Sequence, residues 1–260
     1  MGKILKYTLF DLLRSRWSYL YFGCYLIITS ALLALSGDVS RVVISMMNVI
    51  LILCPLVAMM FGIMYYYNSR EFVELLLAQP LRRSAIFLGQ YLGISLSLSL
   101  SLTLGVGLPF VVFGITVSPE IWNFLVLILD GILLSFVFAG MAMLIGMRYD
   151  NKIKGFGLGM LVWLFFAVIY DGLILLVLMS FRDYPLERPT LVLSMLNPID
   201  LSRILILLKL DISALMGYTG AVFQKFFGSG TGMGLSLGAL IIWIVLPILG
   251  MRRIALRRDF

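Results

Sequence analysis

Six stretches of this chain, 17–36, 42–67, 85–117, 121–147, 155–180 and 232–250, are apolar runs. A hydrocarbon layer about 30 Å thick needs roughly 20 apolar residues per helical span, so the runs predict six transmembrane helices. A seventh stretch, Leu201 to Leu215, is too short to cross, because its uninterrupted part runs only from Ile204 to Leu208 before Lys209 and Asp211 break it. With 260 residues in all, 62% hydrophobic and 13% charged, little is left beside the spans. A soluble catalytic domain does not fit. The expectation is an all-α integral membrane protein of one domain, 1–260.

The first 16 residues do not read as a cleavable signal, since Lys3, Lys6, Asp11, Arg14 and Arg16 interrupt any apolar core. Leu5, Leu9, Leu12 and Leu13 recur every three to four residues, with Lys3, Lys6 and Arg14 available for lipid headgroups. That is the pattern of an interfacial helix over 1–16. Membrane anchoring and a mechanical role explain it equally well.

Each end of the chain carries four basic residues: Lys3, Lys6, Arg14 and Arg16 at one, Arg252, Arg253, Arg257 and Arg258 at the other. Six crossings put both ends on one side, and the excess of Lys and Arg marks that side as cytoplasmic. The same topology places Arg70, Arg82, Arg83, Arg148, Lys152 and Lys154 inside, so 14 of the 20 basic residues are internal. Arg41 falls in a short external loop, and Arg182, Arg188, Arg203, Lys209 and Lys225 in a long external helical segment, 181–231. Topology thus accounts for the net charge of +7, and nucleic-acid binding is not expected, because the cations are divided among separate loops.

Histidine is absent, which removes the commonest metal ligand and proton shuttle. Cys24 and Cys54 lie inside apolar runs, and the 15 methionines are scattered, so no metal site is expected. Gly228, Gly230, Gly232 and Gly234 are not followed by the Lys-Ser or Lys-Thr of a phosphate loop. Any ATP chemistry must therefore come from a partner.

Small residues recur every fourth position at Gly89, Gly93, Ser97, Ser101 and Gly105, again at Gly155 and Gly159, and at Gly230, Gly234 and Gly238. Such stripes let helices approach closely. Packing within one bundle explains all three, and a dimer seam is the functional alternative. Ser95, Ser97, Ser99, Ser101 and Thr103 alternate with leucine or isoleucine, but hydroxyls in a helix can bond to the carbonyl four residues back.

Asp130 and Asp171 each lie about nine residues, roughly 14 Å, from the outer end of their spans, with no basic residue in either span. An intramembrane acid faces a cavity, stays protonated, or bonds a neighbouring helix. Tyr170-Asp171 also resembles half of the intramembrane aspartyl protease signature. The Gly-x-Gly-Asp half is missing.

Between spans two and three runs the connector 68–83. Ser69 can cap a helix, Glu71 suits its first turn and Pro80 stops it. Phe72, Leu75, Leu76 and Ala78 would leave an apolar face exposed unless a partner, the bundle or the headgroups cover it.

Six spans, an amphipathic N-terminal helix and the connector Glu74-Leu75-Leu76-Leu77-Ala78-Gln79-Pro80-Leu81-Arg82-Arg83 resemble the ABC-2 type permease family, with its type V exporter-like fold. The resemblance implies that Glu71, Phe72, Val73, Glu74, Leu75, Leu76, Leu77 and Gln79, ended by Pro80, form a coupling helix seated in a cytoplasmic ATPase. Glu71-Phe72 stands where that family commonly has Gly-Thr. A narrower likeness adds Leu88-Gly89-Gln90, Val162-Trp163-Leu164-Phe165 with Tyr170-Asp171, and Leu196-Asn197-Pro198-Ile199-Asp200-Leu201-Ser202-Arg203. These resemble, in order, the permeases that serve maturation of nitrous oxide reductase. That likeness implies a homodimer in the bacterial inner membrane and two cytoplasmic ATPases holding ATP and magnesium. It also implies a periplasmic repeat-protein subunit received near Asn197, Pro198, Asp200 and Arg203, in a machine that helps build a copper-sulfur centre. On residue chemistry alone, Pro198 opening a helix and an Asp200–Arg203 pair three apart explain the last motif. A generic exporter of lipid, peptide or drug is the alternative.

Overall fold

The computed structural model describes residues 2–36, 39–79, 82–115, 118–181, 187–210 and 217–257. The described residues form helices only. In chain order they are α1 (Gly2–Leu13), α2 (Arg16–Ser36), α3 (Val39–Asn68), α4 (Arg70–Leu77), α5 (Arg83–Val112), α6 (Ile121–Arg148), α7 (Lys152–Leu164), α8 (Tyr170–Ser180), α9 (Glu187–Met195), α10 (Pro198–Leu210) and α11 (Gly217–Arg257). A π-helical turn, Phe165–Ile169, joins α7 to α8. Six helical segments are long and apolar enough to cross a membrane: α2, α3, α5, α6, the α7–α8 unit and Gly230–Leu256 of α11. This matches the six expected runs, and the chain is a multi-pass membrane protein.

The spans divide into inner and outer ones. About three-fifths of the apolar windows of α3, α5 and α6 is buried, against 11% for α7–α8 and 22% for α11. The first three therefore form the centre, with Met46, Ile50, Met59, Phe87, Tyr91 and Phe138 fully enclosed. Dispersion between such close-packed side chains, together with small residues at crossings, holds helices together where lipid is as apolar as leucine. Gly62 is one such crossing: a Cβ there would stand 2.6 Å from that of Ala142.

Two of the small-residue stripes are used inside the chain. A Cβ at Gly93 would lie 2.6 Å from Thr8 on α1, and one at Gly105 would lie 2.9 Å from Tyr25 on α2. Gly155 and Gly159 admit Tyr67 and Ile63 of α3 in the same way. Gly230, Gly234 and Gly238 face open space. Along α5, Ser95 donates to the Tyr91 carbonyl at 2.9 Å, the expected bond four residues back.

The helix α1 differs from a simple surface anchor. Its Ile4, Thr8 and Leu12 are buried, and the contact of Thr8 with Gly93 seats it on α5. One end of the bundle gathers α1, α4 and the α6–α7 turn. It holds Arg14, Arg70, Arg148, Lys152 and Lys154 and is called the basic end below.

The segment expected outside the membrane is drawn into the bundle. The helices α9 and α10 are bent by 108° at a short break. Along α10, Pro198, Ile199, Asp200, Leu201, Ser202 and the run Ile204 to Leu208 are all buried. At 13 residues, or roughly 20 Å, α10 does not cross, as its interrupted apolar run predicts. Leucine and isoleucine on all sides are nonetheless the composition of a helix enclosed by others. This part of 181–231 packs against α6 and α11 rather than standing clear of the bundle.

Candidate functional site

At the basic end, α4 crosses between the ends of α3 and α5. Only Val73 is buried on it; Glu71, Glu74, Leu75, Ala78 and Gln79 are exposed, and Phe72, Leu76 and Leu77 are half-buried. Pro80 lies outside the described residues. The apolar face therefore splits. Phe72 stacks on Tyr7 of α1, with ring centres 4.8 Å apart and planes at 27°, whereas Leu75 is 69% exposed.

The start of α4 is held from three sides. Arg70 pairs with Glu74 at 3.1 Å along the helix and reaches Asp150, in the α6–α7 turn, at 3.6 Å. That turn is in turn tied to α3: Tyr67 donates to the Tyr149 carbonyl at 2.7 Å, and Lys152 donates to the Asn68 amide oxygen at 3.3 Å. The expected Ser69 cap is not formed. Its hydroxyl donates back to the Tyr66 carbonyl and accepts from Gln90 of α5 at 3.1 Å. A serine next to a helix end has several local acceptors, and here the tertiary partner Gln90 selects among them. The result is a short helix fixed to α1, α3, α5 and the α6–α7 turn, with one face open.

A second cluster forms where α8, α10 and α11 meet. Arg203 on α10 lies 3.1 Å from the Asp171 carboxylate on α8 and 3.3 Å from Asp200 on its own helix. The sequence offers Asp171 no basic partner within its span, and the fold supplies one from α10. Asn197 caps α10 by accepting from the Ile199 N–H at 3.0 Å, while its amide donates to the Phe166 carbonyl at 3.0 Å. Phe166 sits in the π turn, where the backbone register shifts by one residue and leaves a carbonyl for an outside donor.

The carbonyls at the end of α9 are met in the same manner. Tyr170 donates to Leu193 at 2.6 Å and Trp243 of α11 donates to Met195 at 3.0 Å. Helix ends leave carbonyls short of partners, at a cost of several kcal/mol for one left unmet in a membrane; Leu193 accepts also from the Leu196 N–H at 3.0 Å. Trp243 escaped the sequence reading, although an indole N–H inside an apolar span must find an acceptor.

Asn197, Pro198 and Asp200 are buried; Asn197 bonds Phe166 and Ile199, and Arg203 pairs with Asp171 and Asp200. Asp130 on α6 is fully buried, neither carboxylate oxygen is hydrogen-bonded among the described residues, and Ser202 of α10 faces it outside bonding geometry. Adjacent positions of α10 thus address both intramembrane acids, Ser202 toward Asp130 and Arg203 toward Asp171.

Residues 20–254 match the family model of ABC-2 family transporter proteins. The chain is 29% identical over 266 residues to the probable ABC transporter permease protein NosY of Stutzerimonas stutzeri, covering 94% of this chain and 91% of that protein. It is also 27% identical over 188 residues to the protein of the same name from Pseudomonas aeruginosa, covering 69% and 68%.

Proposed function

Because the chain belongs to the ABC-2 family of transporter proteins, and so is an ABC transporter permease that works with ATPase subunits, we propose that α4 is its coupling helix. The observation that carries this is the exposed face of Glu71, Glu74, Leu75 and Gln79 on a short helix whose other side is fixed to the bundle. A lever needs that combination, since a partner can push only on a face that is open and move only what is attached. The basic end is then cytoplasmic, with both termini there, and ATP and magnesium belong to the ATPase. Two copies of the permease carry two ATPases in a bacterial inner membrane.

The finer reading is maturation of nitrous oxide reductase. It rests on likeness to permeases named NosY over 94% of this chain, and on the Asn197 to Arg203 motif that carries the resemblance. Force on α4 passes through α3 and α5 to the bundle, and α10 relays it by way of Arg203 and Asp171 to the far side. There the α9–α10 element, positioned by the buried motif, supports a periplasmic repeat-protein subunit. A strain lacking this permease should make nitrous oxide reductase without its copper-sulfur centre, read from the absorption spectrum of the purified enzyme. A complete centre in that strain would leave the general exporter in its place.

A further inference from the structure

The outward face of α1 brings cations and aromatic rings together. With Ile4, Thr8 and Leu12 turned inward, Lys3, Lys6, Tyr7, Phe10, Asp11 and Arg14 line an open groove of about 490 Å³. Beside it a cavity of about 320 Å³ shares Tyr7 and Asp11 and adds Trp17 and Phe61. Tyr7, Phe10 and Trp17 are each 52% exposed. Among the described residues, Lys3, Lys6 and Arg14 make no ion pair, and the Lys6 ammonium stands 6.0 Å from the centre of the Phe10 ring. Three cations against one carboxylate leave the groove positive.

The height of the groove follows from its neighbours. Thr8 touches Gly93 of α5, and one turn earlier Gln90 bonds Ser69 at the end of α3. So α1 lies level with the end of a membrane span, at the depth of lipid headgroups. Cations at that depth attract anionic lipid, and aromatic rings prefer the same layer. A free anion would need the charges alone; half-exposed Tyr7, Phe10 and Trp17 suit a ligand with an apolar body as well.

We propose that this groove binds an anionic phospholipid from the leaflet at the basic end, its phosphate on Lys3, Lys6 and Arg14 and its chains along Phe10 and Trp17. Through the Tyr7–Phe72 stack the lipid steadies α4. That last consequence rests on α4 being the coupling helix, whereas the binding does not.

The test uses the purified full-length permease, delipidated in mild detergent and offered equal amounts of phosphatidylglycerol and phosphatidylcholine, with retained lipid measured by native mass spectrometry. Charges of this number predict a preference for phosphatidylglycerol of roughly tenfold or more. The preference should fall to near unity in the K3Q/K6Q/R14Q variant, whose changes are all at exposed positions, and survive in R252Q/R253Q. Equal retention by the unaltered protein, an unchanged preference in the triple variant, or displacement by inorganic phosphate would each overturn the proposal. The readout needs no ATPase, so it stands or falls apart from the coupling assignment.

Discussion

The Arg203 guanidinium holds the Asp171 carboxylate at 3.1 Å and the Asp200 carboxylate at 3.3 Å, linking α10 to α8. The three groups differ in exposure: the Asp200 side chain is 8% exposed, and those of Asp171 and Arg203 are 35% and 37%. Removing the cation therefore leaves a buried carboxylate facing a second one. Removing Asp171 still leaves Arg203 with Asp200. Since an uncompensated buried charge costs far more than a lost half-exposed pair, R203Q should melt at a clearly lower temperature than D171N in the same detergent. Equal melting, or a lower value for D171N, would count against the arrangement.

The open face of α4 makes a second prediction. A single cysteine at Leu75 or Gln79, both exposed, should form a cross-link to the partner ATPase through a short bifunctional reagent, whereas one at buried Val73 should not. A cross-link from Val73 with none from Leu75 would mean that the opposite side of α4 is the docking face.

Close approach at Gly93 gives a third. A side chain there runs into Thr8, so G93L should destabilise the protein by about 1–3 kcal/mol, the usual cost of overpacking, and displace α1. G107L is the control, because a Cβ at Gly107 meets nothing within 4 Å. Thermal unfolding of both variants decides it; a G107L loss equal to that of G93L would contradict the packing.

Asn197 supports two bonds at once, to Ile199 and to Phe166. N197A should lose about 1 kcal/mol for the helix cap and more for the π-turn carbonyl left without a donor in the bundle. N197S keeps an acceptor for the cap and is too short to reach the Phe166 carbonyl, so it should fall between N197A and the unaltered protein in thermal unfolding. Identical behaviour of the two variants would show that one of the bonds contributes nothing.

Much of this was legible in the sequence. Runs such as 42–67 and 121–147 foretell α3 and α6 to within a few residues, because crossing a membrane demands length and apolarity that no other element shares. The short helix after Ser69 was also visible from Glu71 and the apolar spacing. What escaped depends on tertiary contact. Asp171 finds its cation 32 residues away, across the 108° bend between α9 and α10, and nothing local announces that pairing. Ser69 was readable as a cap until Gln90, 21 residues on, claimed its hydroxyl. The π turn at Phe165–Ile169 inserts one residue without any composition signal. The burial of Asn197 and Asp200 was hidden for the opposite reason: polar residues beside a proline read as surface until the donors of Tyr170 and Trp243 are seen closing the bend.

The central claim is that α4 couples this permease to an ATPase, and affinity purification from the native host in mild detergent addresses it most directly. Mass spectrometry of the tagged protein should find a cytoplasmic ATPase with the unaltered chain and not with L75E, both inserted to the same level. An ATPase retained undiminished by L75E, or absent from the unaltered protein, would contradict the account.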